Sequence, residues 1–196
     1  MTWRGRLSVA SAAFLLFAGG CTAPAASGPP AGHTATPDPL ASFGTRHTSL
    51  GCLDAIGVPA DQMPAQTPIE VPLPRTDSPP PRADQAGIRL PGALQWYLRK
   101  EPLTLPAGAA DVIMSVAGAK QALAWVPSSV WTSGGPPDLG PWAASSVTLH
   151  SCPDRAAQFL GGVLAADLTT CVQLSVRQAG QPERDARQLL DGSACP

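Results

Sequence analysis

Val172-Gln173-Leu174-Ser175-Val176-Arg177 is the stretch on which the fold turns. Val172, Leu174 and Val176 fall on one side of an extended chain, and Gln173, Ser175 and Arg177 on the other. That two-residue period belongs to a strand with one buried and one wet face. Beyond it, Gln178-Ala179-Gly180-Gln181-Pro182 turns the chain, and Arg184 to Leu190 can return beside it as an Arg-rich edge strand. Upstream, from Gly87 on, short apolar runs separated by Gly and Pro recur at roughly ten-residue intervals, the spacing of a sandwich or barrel. The expected strands are Ile88 to Leu90, Leu94 to Arg99, Val112 to Ala117, Ala122 to Val126, Ser146 to His150 and Phe159 to Leu164.

Asp154 to Leu168 is ambiguous by pattern, because Asp154 could cap a helix with Ala156, Phe159, Leu160, Val163 and Leu164 on one stripe. Gly161-Gly162 decides for a strand. Two central glycines cost a helix about 2 kcal/mol relative to alanine, whereas in a strand they mark a bulge or a close backbone approach. The fold class is therefore all-β: a single small disulfide-stapled β-sandwich of about seven strands, immunoglobulin-like in outline.

In front of this core the composition changes. From Thr22 to Ser49 the chain is Ala, Thr, Pro, Ser and Gly with few large apolar residues, too few to offset the entropy of ordering. Thirteen of the 23 prolines lie between residues 22 and 82, which stiffens parts of the region toward polyproline II. Ser49 to Ala60 interrupts the leader with Leu50, Leu53, Ile56 and Val58 around Cys52, an apolar cluster expected to dock on the domain. Gln66 to Arg82 then sets Ile69, Val71 and Leu73 among prolines, so it can only be an edge strand or an extended covering segment. The expected organisation is a leader over residues 1–20, a disordered tether over 21–48 and a sandwich over 49–196. Within the sandwich, 49–86 is the Pro-rich covering segment and 87–196 the strand core.

The first residues carry an address. Arg4 and Arg6 precede an apolar run from Leu7 to Ala18, followed by Ala18-Gly19-Gly20-Cys21. A basic start, an apolar segment of about a dozen residues and small residues before a cut site mark a secretory signal peptide. The cysteine after those small residues resembles the lipobox at which bacterial prolipoproteins are diacylated on the thiol and cleaved. The usual motif has Leu three residues before the cysteine, where this chain has Ala18. The resemblance implies a lipoprotein with Cys21 as its lipidated N-terminus, held at the extracytoplasmic face of the cell membrane. Ordinary secretion after cleavage near Ala23-Pro24-Ala25 is the alternative, while Leu7 to Ala18 is short of the roughly 20 residues a transmembrane helix needs. Lys100 and Lys120 are the only lysines; with abundant Ala, Gly and Pro this resembles actinobacterial coding style.

Assigning Cys21 to lipid leaves four of the five cysteines: Cys52, Cys152, Cys171 and Cys195. In an oxidising space two disulfides are the default, and four cysteines allow three connectivities. The favoured set is Cys152 to Cys171, joining neighbouring strand ends, and Cys52 to Cys195, tying the domain's beginning to its end. No metal site is expected, because there is no C-x-x-C and no paired histidine.

Losing Arg4 and Arg6 leaves 11 basic against 14 acidic residues, a formal charge of −3. That balance excludes nucleic acid, whose backbone demands clustered Lys and Arg. For chemistry, Leu149-His150-Ser151-Cys152 is similar in outline to the S-H-G-C segment of L,D-transpeptidases, envelope enzymes with a thiolate nucleophile. Leu149 and Ser151 depart from that motif, and His33 and His47 lie in the expected tether. A nucleophilic cysteine needs a lowered pKa and a base in reach, so the residues favour a disulfide-bonded Cys152 beside a strand-end His150, with no catalytic residue. No G-x-S-x-G elbow occurs. Asp111, Asp138, Asp154 and Asp167 sit at turns, where Asp serves local hydrogen bonding.

Trp131 and Trp142 bracket a Gly- and Pro-rich loop. Such rings can stack on a cell-wall glycan or anchor an envelope protein, although in a small sandwich tryptophans normally fill the core. The expected role is a binding or accessory one in the cell envelope without a cofactor, with a cell-wall-acting enzyme or a structural spacer as alternatives.

Overall fold

Ten strands and one short helix form among the described residues. The computed structural model describes residues 45–58, 71, 73–90, 96–132 and 134–196. Expectations for Cys21, the signal segment, residues up to 44, Ile69 and Leu94 lie outside the described residues. The strands are β1 (His47–Leu50), β2 (Ile56–Val58), β3 (Tyr97–Lys100), β4 (Leu103–Leu105), β5 (Val112–Val116), β6 (Gln121–Val126), β7 (Ser146–Leu149), β8 (Ala156–Ala165), β9 (Val172–Gln178) and β10 (Arg184–Gln188). The helix α1 spans Ser128–Thr132, and Gly140–Trp142 makes a single 3₁₀ turn.

One sheet runs β1-β7-β5-β9-β10, antiparallel except for the parallel edge pair β1/β7. The second sheet is built on β8. Its first half pairs with β2 on one side and β4 on the other, and its second half with β6 and β3. One long strand thus does the work of a central strand for four short ones. Here Gly161 and Gly162 explain why the segment is not helical. A Cβ on Gly161 would lie 2.5 Å from Ala124 O and Trp125 Cα, and one on Gly162 would overlap the Arg99 carbonyl. The glycines mark the close backbone approach that the pattern announces.

The main core fills the space between the sheets. Val112, Met114, Val147, Leu149, Val172, Leu174 and Val176 from the first sheet meet Leu103, Leu105, Leu123, Trp125, Phe159 and Val163 from the second. A second cluster covers the back of β6: Ala122, Ala124 and Val126 pack against Ile88, Trp96, Leu98, Leu139 and Ala143. Every residue of β6 is accordingly buried, which is why it reads as a near-continuous apolar run. Neither core cluster covers the outer face of the first sheet among the described residues, and that face is polar apart from Ile113.

The termini of the sandwich depart from expectation. Among the described residues strand structure begins at His47, so His47 belongs to the fold and not to the tether. Leu50 is buried in the main core, but Leu53 is fully exposed, contrary to the expected docking of the whole cluster. The reason is local: Asp54 N–H donates to Gly51 O, and Gly51 N–H to the Asp54 carboxylate, a turn that throws Leu53 outward at its tip. Leu73 is buried, and among the described residues of that run 73–81 make no strand while Arg82 forms a single bridge to Tyr97. β2 and β4 are additional short strands, and Ile88 to Leu90 contributes only one bridge, Arg89 to Asp138.

All four domain cysteines are paired, but in a different connectivity from the favoured one. Cys52 bonds Cys152 and Cys171 bonds Cys195, with Cα separations of 5.2 and 5.6 Å. β1 lies parallel beside β7, so the chain leaving each strand arrives at the same end of the sheet. Cys52 lies two residues past the end of β1 and Cys152 three past the end of β7. Cys171 meets Cys195 because β10 returns along β9 and ends opposite Val172.

One buried charge fastens the covering segment. Arg99, only 6% exposed, pairs with Glu101 at 3.1 Å and donates to Leu190 O at 3.2 Å and Pro74 O at 2.8 Å. Its fork holds β3, the C-terminal loop and the 73–76 segment together. Beside it Gly192, at φ +82°, leaves room for Pro74 O, which a Cβ would meet at 2.5 Å.

Candidate functional site

The polar outer face of the first sheet gathers the chemically capable side chains. The parallel register sets His47 opposite Ser146, and Ser49 opposite Thr148. Because side chains alternate, His47, Ser49, Ser146, Thr148 and His150 share that face while Leu50, Val147 and Leu149 enter the core. Asp111 precedes β5 on the other side of β7, since Val112 pairs with Leu149.

His150 bridges all three elements. Its Nε2 lies 2.9 Å from Ser49 Oγ and its Nδ1 lies 2.7 Å from Asp111 Oδ2. The second Asp111 oxygen accepts the Ser151 N–H at 3.2 Å, so the carboxylate is held from two sides. Ser151 in turn donates its hydroxyl to Ala109 O, pinning the bend after β7 to the loop before β5. An ionised carboxylate only accepts, so the neutral ring carries its proton on Nδ1 and presents the Nε2 lone pair to the serine hydroxyl. His150 and Asp111 are about half exposed, with side chains at 46% and 48% accessibility.

His47 provides a comparison on the same face. Its Nδ1 lies 2.8 Å from Ser146 Oγ and its Nε2 3.3 Å from Thr148 Oγ1. Neither contact is a carboxylate, so nothing there selects a tautomer.

The residues singled out by sequence are dispersed. Cys152 is completely buried and disulfide-bonded, so the thiolate chemistry outlined by His150 and Cys152 has no thiol to use. Trp131 lies on α1 under the Lys100 ammonium, 5.4 Å from the ring centroid, and Trp142 ends the 3₁₀ turn. Both are half-buried and lend a face to the second core cluster; Trp142 also touches the main one. The Arg46 guanidinium caps the carbonyls of Gly140, Pro141 and Ala143, which locks the Trp142 turn onto the start of β1. A shallow cavity of about 350 Å³ sits at the opposite end of β5 from Asp111, lined by Lys120, Gln121, Asp167, Thr169 and Gln173 among others. The Asp167 carboxyl there is held below the usual carboxylate range, chiefly by the Thr169 hydroxyl at 2.6 Å. Among the described residues, no three His, Cys, Asp or Glu side chains gather to hold a metal ion.

Sequence reasoning singled out His150, named Asp111 only as a turn residue with local hydrogen bonds, which the structure corrects to bonds with His150 and Ser151, and did not name Ser49 as a partner. Ser49 stands 101 residues from it and Asp111 stands 39 away, separations across which no local motif can speak. His47-Thr48-Ser49 are all polar before Leu50, so no two-residue period marks this strand in the sequence. Comparison of the chain with protein-family models, curated proteins and solved structures finds no match.

Proposed function

We propose that this chain is an exported lipoprotein of the cell envelope, anchored through Cys21, whose sandwich serves a binding or accessory role at the outer face of the membrane. The observation that carries the reading is the pairing of Cys52, Cys152, Cys171 and Cys195 into two disulfides. Disulfides persist in oxidising compartments, and this set uses every cysteine except the one that follows Ala18-Gly19-Gly20. A diacylglyceryl thioether supplies two chains, enough for stable anchoring where a single acyl chain binds only marginally. The tether then spaces the domain from the lipid surface, leaving it free to meet an envelope protein or a cell-wall glycan. The half-buried Trp131 and Trp142 rings and the polar sheet face are the surfaces available for that contact.

Membrane fractionation tests the reading. The native protein is expected in the detergent-soluble membrane fraction and its Cys21→Ala variant in the medium or as an uncleaved precursor. Equal release of both into the medium would overturn the anchor.

A further inference from the structure

The two Ser–His contacts on the sheet face differ in the ring nitrogen that meets the serine, Nε2 in His150 and Nδ1 in His47, and in the carboxylate behind the ring, which only His150 has. Ser49, His150 and Asp111 run hydroxyl to imidazole to carboxylate at 2.9 and 2.7 Å, whereas Ser146 and His47 end on the Thr148 hydroxyl. Only the first arrangement fixes the tautomer in which Nε2 can take a proton from the serine. We propose that Ser49, His150 and Asp111 form an acyl-transfer site that hydrolyses carboxylic esters.

The chemistry balances with water as the only co-reactant. Ser49 Oγ bonds to the ester carbonyl carbon as its proton passes to His150 Nε2, and Asp111 steadies the resulting imidazolium through Nδ1–H. The ester C–O bond then breaks, and the alcohol leaves with the proton from Nε2. Water adds to the acyl-Ser49 carbon, giving a proton to Nε2, and the acid departs as that proton returns to Ser49 Oγ. Ser49 and His150 are the catalytic residues and Asp111 is a positioning residue. A general base of this kind contributes about 10²- to 10⁴-fold.

The backbone supplies a donor for the developing oxyanion. Arg46 O accepts from Ser146 N–H and Leu50 O from His150 N–H, which turns the even-numbered peptide groups of β1 toward β7. By the alternation of a parallel ladder, the Ser49 N–H faces the open edge of the sheet, beside its own hydroxyl. The His150 and Asp111 side chains are about half exposed, so the site is an open face. Its substrate is an acyl ester displayed on an exposed chain or surface, not a small molecule that must be enclosed.

The test uses the purified full-length protein with p-nitrophenyl acetate as substrate and a fluorophosphonate as covalent probe. The expected adduct is on Ser49. Ser49→Ala and His150→Ala should each lower the hydrolysis rate by about 10²-fold or more. Asp111→Asn should lower it and displace the pH–rate profile, because an amide donates as well as accepts and so no longer selects the tautomer, and it carries no charge to steady the imidazolium. Ser146→Ala and His47→Ala, on the same face, should change neither rate nor adduct. Non-reducing mapping of both disulfides in each variant distinguishes lost chemistry from lost fold. Absence of an adduct on Ser49 in the native protein would overturn the proposal, as would undiminished hydrolysis by Ser49→Ala with both disulfides intact.

Discussion

Cys52 and Cys152 stand 100 residues apart in sequence and 5.2 Å apart at their Cα atoms, joined as a disulfide just past the neighbouring strands β1 and β7. The bond converts a parallel edge strand, the weakest place to hold a chain terminus, into a stapled one. It anchors Leu50 in the main core and holds Ser49 over His150.

Replacing both members of that pair by Ala should therefore destabilise the domain more than removing Cys171 and Cys195. By loop entropy the closures over 100 and 24 residues are worth about 4.7 and 3.5 kcal/mol. Urea denaturation of the two double variants should rank them in that order, and the reverse order would show that β1 is held by its hydrogen bonds and packing alone.

Arg99→Met keeps the aliphatic volume but removes the donors to Leu190 O and Pro74 O. A hydrogen bond to a charged donor is worth about 1.5 to 3 kcal/mol, so a loss of about 3 kcal/mol is expected, with early proteolysis at Arg75. A variant as stable as the native protein would mean that Leu73 and Gly192 hold the covering segment by themselves.

Gly162→Ala should cost about 3 kcal/mol or more, because the added Cβ meets the Arg99 carbonyl, part of a strand backbone that cannot step aside. Gly135→Ala, where a Cβ meets nothing within 4 Å, is the control and should be near neutral. Thermal unfolding of the pair measures the difference.

Acid should weaken the turns at Asp167 and Asp191. Each carboxyl is held below its ordinary value, chiefly by a hydroxyl donating at 2.6 Å, Thr169 to Asp167 and Ser193 to Asp191. A depressed folded pKa gives stability that is present above the unfolded pKa and lost as pH falls through the folded one. Stability should thus decline below about pH 4, the ordinary carboxylate range, and Asp167→Asn with Asp191→Asn should flatten that decline. An unchanged acid limb in the double variant would place the sensitive groups elsewhere.

How much of this was legible in the sequence follows from the range of each signal. β9 could be read directly, because Val172, Leu174 and Val176 alternate within one strand and each is buried. β8 could be read from Gly161-Gly162, whose helix penalty is local. The disulfide connectivity could not, because it depends on β1 lying parallel to β7, a pairing of residues 99 positions apart. β1 itself was hidden by its setting: four residues, three of them polar, at the end of a Pro-rich leader. Arg99 gave no sign of burial, since its partners Pro74 and Leu190 are backbone carbonyls brought in by the fold. The same holds for Ser49 and Asp111, ordinary residues until the sheet sets them on either side of His150.

Tryptic mapping without reduction, on protein recovered from the exporting cell, tests most directly the account of an exported sandwich stapled across its first strand. Cleavage after Arg46, Arg75, Lys120, Arg155, Arg177 and Arg187 separates the four cysteines. The account predicts His47–Arg75 linked to Gln121–Arg155, and Ala156–Arg177 linked to Gln188–Pro196, with no free thiol in any of the four. Recovery of His47–Arg75 linked to Gln188–Pro196, or of any of these peptides with a free thiol, would contradict it.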